Sequence, residues 1–365
     1  MMMILVRKLP HPIRLFLKRV LRPMQVYRSL LKFVAKSPLL TAIYYYFKGI
    51  YYFEQRATLM GRISYLESVE LDSGMPFHPM IRNIHSLEKG LSMRHQRSLF
   101  GESYIAETIE YLERVLRNTS SKGPDFEAKE TISWAFDVLA EYFRVVEMTP
   151  AIQNAQEKFQ RLLRATQYEP GTRVPYARSN RLGRSSISYE ALKQLAIQRR
   201  SVRWYEQRSV PREDIDRAIA IAALSPSACN RQPFEFRVYD DPALIKQISE
   251  LPIGIAGFKD NIPCLVVLIG TLSPYWNERD RHVIYIDASL AAMAFEFALE
   301  TLGLASCSIN WPAIYEREKA MHELLNLAAD ERVVMLISVG YLALDGFIPY
   351  SQKKSLQMLR SYNKI

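Results

Sequence analysis

Cysteine is scarce in this sequence, and its scarcity limits what can hold the fold together. Cys229, Cys264 and Cys307 lie far apart, form no C-x-x-C pair and are odd in number. The sequence therefore predicts no disulfide framework, and a reducing compartment suits it better than an oxidising one. The simplest interpretation of all three is as small apolar residues of a core.

Long apolar runs and several common motifs are also missing. No stretch of about 18 uncharged apolar residues occurs, so we expect no membrane-spanning segment. The start does not resemble a secretory signal, because basic residues recur through its apolar stretch and no small-residue cleavage site follows. The sequence lacks G-x-G-x-x-G, G-x-x-x-x-G-K-[ST], G-x-S-x-G and H-E-x-x-H, which argues against dinucleotide-binding folds, P-loop NTPases, α/β-hydrolases and zincins.

The excess positive charge of the chain is confined to its first 60 residues. Residues 1–60 hold eleven Lys and Arg and a single acid, Glu54, which leaves 37 basic and 37 acidic residues for the rest. Within this region, SPLLTAIYYYFKGIYYF (37–53) places seven aromatic residues around Lys48. Basic residues followed by an aromatic belt suit a helix that lies on an anionic membrane surface.

The alternative for this segment is a basic helical extension that packs on its own domain or on a partner subunit. Nucleic-acid binding is not expected. We therefore expect a cytoplasmic protein, either free or peripheral to the inner face of the membrane.

Composition and periodicity divide the chain into four regions. In 105–118, apolar residues fall on one helical stripe, and SSKGPD (120–125) is a break. Residues 128–148 form a second long amphipathic helix, which we expect Pro150 to close. Pro, Gly, Ser and Arg dominate 167–186, which indicates a linker. The predicted regions are a basic, aromatic-rich helical segment (1–60), a helical region (61–165), a linker (166–188) and a domain of mixed helices and strands (189–365).

Within the last region the patterns define an α+β domain. The helix predicted over 287–304 is apolar nearly all round, so we expect it to be buried, with Asp287 as its N-cap and Gly303 past its end. The remaining patterns predict a helix that runs into a turn in 189–205, a helix in 210–226, and strands in 235–240, 262–270 and 332–341.

Two short stretches of this domain stand out chemically. In RRSVRWY (199–205), three arginines flank Ser201, and such close guanidinium groups repel one another unless an anion joins them. The stretch is either an anion site or a solvated basic turn. In SPSACNRQPFEF (225–236), polar residues crowd between a helix and a strand, as either a plain turn or a loop whose polar groups meet a ligand.

In their order and spacing, RRSVR, SPSACNRQPF, the apolar helix that ends in LGL, and ISVGY resemble the nitroreductase family of flavin enzymes. The resemblance covers roughly residues 190–360. It implies a central mixed or antiparallel sheet flanked by helices, and an FMN cofactor at the interface of a homodimer. The helical N-terminal half is similar to uncharacterised nitroreductase-family proteins encoded with surface-polysaccharide genes, which would associate the chain with polysaccharide biosynthesis.

The resemblance also implies site residues. In our interpretation Gln232 orients the second stretch and does not touch the flavin. Lys353, in PYSQKKS (349–355), resembles a late basic element and would be a second phosphate contact. The segment matched to the FMN phosphate and ring edge comprises Arg199, Arg200, Ser201 and Arg203, and the loop matched to one that reaches the flavin from the partner subunit comprises Pro226, Ser227, Ala228 and Asn230.

The sequence departs from the family pattern in three places. Phe234 stands where Trp is common. A glycine-containing loop is replaced by SCSINWPAIY (306–315), in which Asn310 and Trp311 would line the flavin. The segment that usually contributes pocket residues is compressed to LPIGIAGFKDN (251–261), so we expect a reduced substrate pocket and leave the choice of substrate open.

Two functional hypotheses follow. The first is an FMN-dependent oxidoreductase in which NAD(P)H reduces FMN, departs, and is replaced by a small-molecule electron acceptor in a ping-pong cycle. No side chain is assigned as a catalytic acid or base, because water can supply the protons. The second is a catalytically silent protein that keeps the fold for dimerisation and binds a membrane surface or a partner.

One motif of the N-terminal half is left over. NIHSLEKGLSMRHQ (83–96) places His85 and Glu88 on one face of a helix. Two ligands without a third make a poor metal site, so no metal is predicted. We interpret the motif as a structural turn or as a cover over the flavin site.

Overall fold

The computed structural model describes residues 27–49, 51–70, 76–94, 97–122, 126–177, 183 and 185–364. Several sequence predictions fall partly outside the described residues. They concern the basic residues of 1–26 and the linker residues 178–182 and 184. They also concern residues 95–96, at the end of NIHSLEKGLSMRHQ, and residues 123–125, in the predicted break at 120–125.

The described chain forms two compact units. The first contains the described residues up to Gln55 together with Ala313–Glu318, and the second contains Arg56–Pro312 and Lys319–Ile365. In the first unit, residues 27–34 are helical and helix α1 spans Pro38–Lys48. Helix α1 starts where the Ser37 hydroxyl accepts a hydrogen bond from the Leu40 N–H, and it ends at Gly49, whose φ of 65° suits glycine.

A helical bundle occupies the N-terminal part of the second unit. Its core includes Ile105, Ile109 and Leu112 from the predicted stripe, together with residues such as Phe159 that the sequence analysis did not single out. Pro150 does not close the preceding helix but opens the next one, where Thr149 is the N-cap. The helices are α2 (Tyr52–Glu70), α3 (Phe77–Leu91), α4 (Glu102–Lys122), α5 (Phe126–Val145) and α6 (Pro150–Thr166).

A four-stranded antiparallel sheet organises the C-terminal part of this unit. The strands are β1 (Phe234–Tyr239), β2 (Cys264–Thr271), β3 (Ala305–Asn310) and β4 (Glu331–Gly340), in the order β1-β2-β4-β3. Apolar clusters cover both faces, which explains why β2 is an uninterrupted apolar run. The helices around the sheet are α7 (Tyr189–Gln198), α8 (Arg212–Ala222), α9 (Pro242–Ser249), α10 (Val283–Thr301) and α11 (Tyr315–Leu325).

Helix α10 is the central core helix, and it corrects one prediction. The helix begins at Val283, so Asp287 lies inside its second turn and is not its N-cap. The C-terminal end of the helix matches the prediction, because Gly303 lies past the last helical residue with a φ of 75°. Among the described residues, Glu278–Thr301 is the one helical stretch whose length and composition would allow it to cross a membrane, and half of its most apolar window is buried within the chain.

The predicted fold class is confirmed: an antiparallel sheet flanked by helices follows a helical N-terminal region. Two of the three cysteines, Cys264 and Cys307, are buried as predicted, but Cys229 is half-buried. After β4 the chain continues as an exposed tail that includes the short helix α12 (Leu356–Leu359).

Helix α2 packs closely on the chain that follows β2, and glycine makes this possible. A Cβ at Gly61 would lie 2.6 Å from the Leu272 Cβ and 2.7 Å from the Leu272 carbonyl carbon. Ala normally stabilises a helix by about 1 kcal/mol relative to Gly. Because the overlap here involves backbone, we expect Gly61→Ala instead to lower the free energy of unfolding by about 1–3 kcal/mol in urea denaturation.

The control for this measurement is Gly257→Ala. No atom lies within 4 Å of a Cβ at Gly257, so this variant should unfold at or above the urea concentration of the wild type. A Gly61→Ala protein more stable than the wild type would show that α2 does not sit this close to Leu272.

Candidate functional site

The RRSVRWY stretch lies along the edge of the sheet beside β3. Helix α7 ends at Gln198, and the chain then extends so that the Val202 N–H donates to the Ser306 carbonyl at 3.0 Å. The buried Tyr205 fastens the far end, because its hydroxyl lies 2.8 Å from the Ser338 Oγ and donates to the Val202 carbonyl at 2.7 Å. The segment is therefore a fixed part of the sheet edge.

Arg199 meets a buried carboxylate. Its Nη1 lies 3.8 Å from Oε2 of Glu296, the acid of α10 that is 4% exposed. The Glu296 Oε1 accepts hydrogen bonds from the Ser308 Oγ at 2.8 Å and the Ser306 Oγ at 3.3 Å. Burial raises the pKa of Glu300 on the same helix, while the Arg199 charge opposes that rise. Two carboxylates thus face this guanidinium from α10.

Arg203 is supported from a different side. Its guanidinium carbon lies 5.8 Å from the centroid of the Phe258 ring, and its carbonyl accepts from the Asn261 side-chain amide at 3.0 Å. The compressed segment 251–261 therefore braces Arg203. Burial raises the pKa of the Cys307 thiol, and the Arg203 charge acts in the opposite direction. Arg200, between these two supported arginines, is half-buried.

The SPSACNRQPF loop has an unusual backbone. Three of its residues that are not glycine, Cys229, Asn230 and Gln232, have φ values of 53°, 53° and 47°. Such conformations cost free energy, and they cluster at sites where function needs a particular shape. The Gln232 N–H donates to the Ser227 Oγ at 3.0 Å, and its side-chain amide lies 3.4 Å from the Asn230 Oδ1. Gln232 therefore binds two other residues of its own loop.

Buried polar groups hold both sides of the Ala228 peptide unit. The Ala228 N–H donates to the Asp287 Oδ2 at 2.9 Å, and its carbonyl lies 3.4 Å from Nη1 of Arg231. Tyr275 links Asp287 to Arg231. The Tyr275 hydroxyl lies 3.4 Å from the Asp287 Oδ2, and the Arg231 guanidinium lies 5.1 Å from the centroid of the Tyr275 ring. Asp287 is therefore not a helix cap. Instead it anchors this loop by accepting the Ala228 N–H.

The helical N-terminal region also contacts the loop. Helix α3 packs against Ala228–Asn230. At the start of α3 stands His78, whose Nδ1 is out of solvent and without a hydrogen-bond partner. Burial, with a further contribution from the Arg231 charge, lowers the pKa of His78 to about 4, while Asp330 acts in the opposite direction. The loop is therefore supported from both α10 and α3.

Within one protomer the two stretches make no direct polar contact. Among the described residues, no hydrogen bond or ion pair joins Pro226–Asn230 to Arg199–Arg203. Asn310 is exposed at the end of β3, the strand that carries Ser306. Lys353 is exposed in the tail after β4.

The leftover motif on α3 has a structural explanation. The His85 Nδ1 lies 3.2 Å from the Glu88 Oε2, and the Trp134 indole donates to the Glu88 Oε1 at 3.2 Å. These contacts tie α3 to α5. No group of three or more potential metal ligands occurs in the described parts of the chain.

Sequence reasoning missed Glu296, Arg231 and Tyr275, as well as the true role of Asp287. For Glu296 a signal existed, because it is the one charged residue in the apolar run AMAFEFAL (292–299). A buried charge is costly unless it is paired, so such a position predicts a partner. Arg231 and Tyr275 gave no comparable signal, since their contact depends on packing between distant segments.

The donor set at the sheet edge fits an anion such as the phosphate of FMN. The Nε of Arg199 is buried and has no hydrogen-bond partner, so one donor of a fixed guanidinium remains to be satisfied. Guanidinium groups bind phosphate through paired N–H donors, and Arg200 and Ser201 stand next to this one.

Comparison with known proteins gives consistent matches to the C-terminal half. The family model described as the Nitroreductase family matches residues 196–256 and 253–341. A putative NADH dehydrogenase/NAD(P)H nitroreductase of Archaeoglobus fulgidus is 32% identical over 146 residues, which is 39% of this chain and 80% of that protein. Iodotyrosine deiodinase 1 of Sus scrofa is 23% identical over 236 residues, covering 57% of this chain and 79% of that protein.

Among solved structures, an FMN-dependent nitroreductase from Clostridium difficile R20291 aligns with a TM-score of 0.40. Its sequence is 26% identical, and the alignment covers 47% of this chain and 98% of that one.

The half-buried His78, whose Nδ1 is out of solvent, makes the stability of the protein depend on pH. The unfolded chain protonates this residue near its ordinary pKa of 6.5, whereas the folded protein keeps it neutral down to about 4. The stabilisation is therefore complete above pH 6.5 and is lost as the pH falls toward 4, by roughly 3 kcal/mol from this residue. We expect His78→Gln to flatten the pH dependence of the unfolding free energy, measured by urea denaturation across this range.

The exposed His282 provides the matched control. His282→Gln should keep the pH dependence of the wild type. Equal slopes for the wild type and His78→Gln would mean that His78 is not held neutral in the folded state.

Proposed function

The chain belongs to the nitroreductase family, and from this premise we propose that it is an FMN-dependent enzyme that takes electrons from NAD(P)H and passes them to a small-molecule acceptor. Its membership of the family identifies it as an oxidoreductase. The relative of 32% identity is named for NADH dehydrogenase and NAD(P)H nitroreductase activities, and this supports the proposed electron donor.

The observation that carries the proposal is the fixed pair of arginines on the edge of the sheet. Arg199 is held by Glu296 and keeps a buried Nε without a partner, and Arg203 is braced by Phe258 and Asn261. A solvated basic turn would not need buried supports. Side chains held in advance lose less entropy on binding, which favours a site that recognises one anionic ligand.

The proposed roles follow from these positions. Arg199, Arg200 and Ser201 would bind the phosphate, and Arg203 would place positive charge near the edge of the flavin ring. Lys353 would be a second phosphate contact once the tail is in place, and Asn310 would line the ring.

Bound FMN would supply the hydride-transfer chemistry, accepting from NAD(P)H and giving to the acceptor in alternation. The contribution of the protein would be to position these partners and to offer positive charge at the ring edge. Protons would come from water, so no side chain is given the role of acid or base.

A homodimer is part of this proposal, because the loop of Pro226, Ser227, Ala228 and Asn230 would reach the flavin of the other protomer. Two observations support it. Helices α8 and α10 pack together and leave apolar side chains exposed on neighbouring positions, namely Ile221, Leu224, Ile286 and Leu290. The tail after β4 also exposes large apolar side chains, namely Leu344, Phe347, Tyr350, Met358, Leu359 and Tyr362.

The first test is the colour of the protein. Purified wild type should show flavin absorption, and Arg199→Ala and Arg203→Ala should each raise the Kd for FMN about ten- to hundredfold, as expected for the loss of a hydrogen bond to a charged group. Arg199→Lys should recover part of the affinity, because it keeps the charge beside Glu296. The measurement is FMN fluorescence during titration of the apoprotein.

Arg212→Ala is the matched control, because Arg212 is an exposed arginine that pairs with Asp240 at 2.6 Å. It should bind FMN like the wild type. A colourless wild type that FMN cannot reconstitute would refute the proposal and favour the catalytically silent alternative.

The second test concerns the dimer. Leu224→Glu combined with Leu290→Glu should shift the protein to a monomer in analytical ultracentrifugation and should release FMN, because each flavin site would lose the loop of its neighbour. Leu244→Glu, on the exposed side of α9, should change neither property. A monomeric double variant that retains FMN would show that one protomer forms the site alone.

A further inference from the structure

Helix α1 presents an apolar face that its own unit leaves uncovered. Leu39, Ile43, Tyr46 and Phe47 are 69%, 46%, 64% and 80% exposed. Their spacing of four, seven and eight residues from Leu39 places them on one side of an α-helix. No residue of α1 is buried. The helix therefore gains no core packing from the face that its sequence makes most apolar.

The preceding helical turns extend this surface. Residues 27–34 expose Tyr27, Leu30 and Phe33. The Tyr27 and Tyr44 hydroxyls lie 3.0 Å apart, and the Thr41 Oγ1 donates to the Val34 carbonyl at 3.1 Å. These contacts join the two helical segments, so the exposed apolar residues belong to one local structure.

The charge of residues 27–55 indicates which kind of partner the apolar face binds. Between Tyr27 and Gln55 the basic residues are Arg28, Lys32, Lys36 and Lys48, and the one acid is Glu54. Each basic residue near an anionic lipid surface strengthens binding by about fivefold. Tyr and Phe beside Lys are typical of helices that lie at the boundary between headgroups and acyl chains.

The length of helix α1 limits how it can lie in a membrane. Helix α1 has 11 residues, which corresponds to about 16 Å, whereas a spanning helix must cross about 30 Å of hydrocarbon. A helix this short can lie in the plane of the membrane but cannot cross it.

We propose that the exposed face of α1 binds the surface of an anionic lipid membrane, with the helix axis in the membrane plane and the neighbouring lysines on the headgroups. This goes beyond the proposed oxidoreductase activity and does not depend on it. It would place the enzyme next to acceptors dissolved in or attached to the membrane.

Vesicle flotation of the full-length protein tests the proposal. The wild type should float with vesicles of phosphatidylcholine and phosphatidylserine and not with phosphatidylcholine alone, and raised salt should weaken the binding. Leu39→Glu combined with Phe47→Glu should weaken flotation at least tenfold. The triple change Lys32→Ser, Lys36→Ser and Lys48→Ser should remove the preference for phosphatidylserine while keeping the apolar face.

Ile253→Glu, at an exposed apolar residue of the second unit, is the control and should float like the wild type. Thermal unfolding and circular dichroism of each variant establish that it is folded. Equal flotation of the wild type and both α1 variants would overturn the proposal. So would a change in oligomeric state caused by the glutamate variants, which would show that a second copy of the chain covers this face.

Discussion

The buried carboxylate of Glu296 is the constraint on which the arrangement at the sheet edge depends. A charge inside an apolar core costs several kcal/mol unless nearby groups compensate for it. Here two serine hydroxyls of β3 and the guanidinium of Arg199 provide that compensation. Because the same carboxylate contacts both β3 and the RRSVR stretch, satisfying its charge also fixes where the arginines lie. The position of Arg199 at the sheet edge thus follows from the burial of Glu296 in α10.

A second buried acid, Asp287, holds the SPSACNRQPF loop in place in a similar way. Asp287 accepts the Ala228 N–H and is linked through Tyr275 to Arg231, so the strained loop is held from beneath. Helix α3 packs against the same loop from the helical region. Helix α3 is therefore part of the structure that shapes the loop, and changes in α3 are expected to affect it.

Much of the fold was predictable from local pattern. Three of the four strands, the buried helix α10 and the amphipathic helices of the bundle follow from periodicity, because each element must bury one face or both. Strand β3 does not, because the sequence analysis interpreted residues 306–315 as a loop, whereas Ala305–Asn310 pairs with β4. The error at Asp287 has the same origin. The sequence analysis placed Asp287 at the start of the helix, because a polar residue there is normally an N-cap. The helix instead starts four residues earlier, at Val283. Asp287 accepts a hydrogen bond from Ala228, in a loop that is distant in the chain.

The sequence by itself determined most of the elements, the family and the two stretches of residues proposed to bind FMN, since these depend on residue types within short segments. Tertiary structure alone decided that Glu296 pairs with Arg199, that Asp287 anchors Ala228, and that α3 supports the loop. The physical reason is the separation of the partners. Glu296 and Arg199 lie nearly a hundred residues apart, and no local pattern states which buried charge will meet which donor when the core closes.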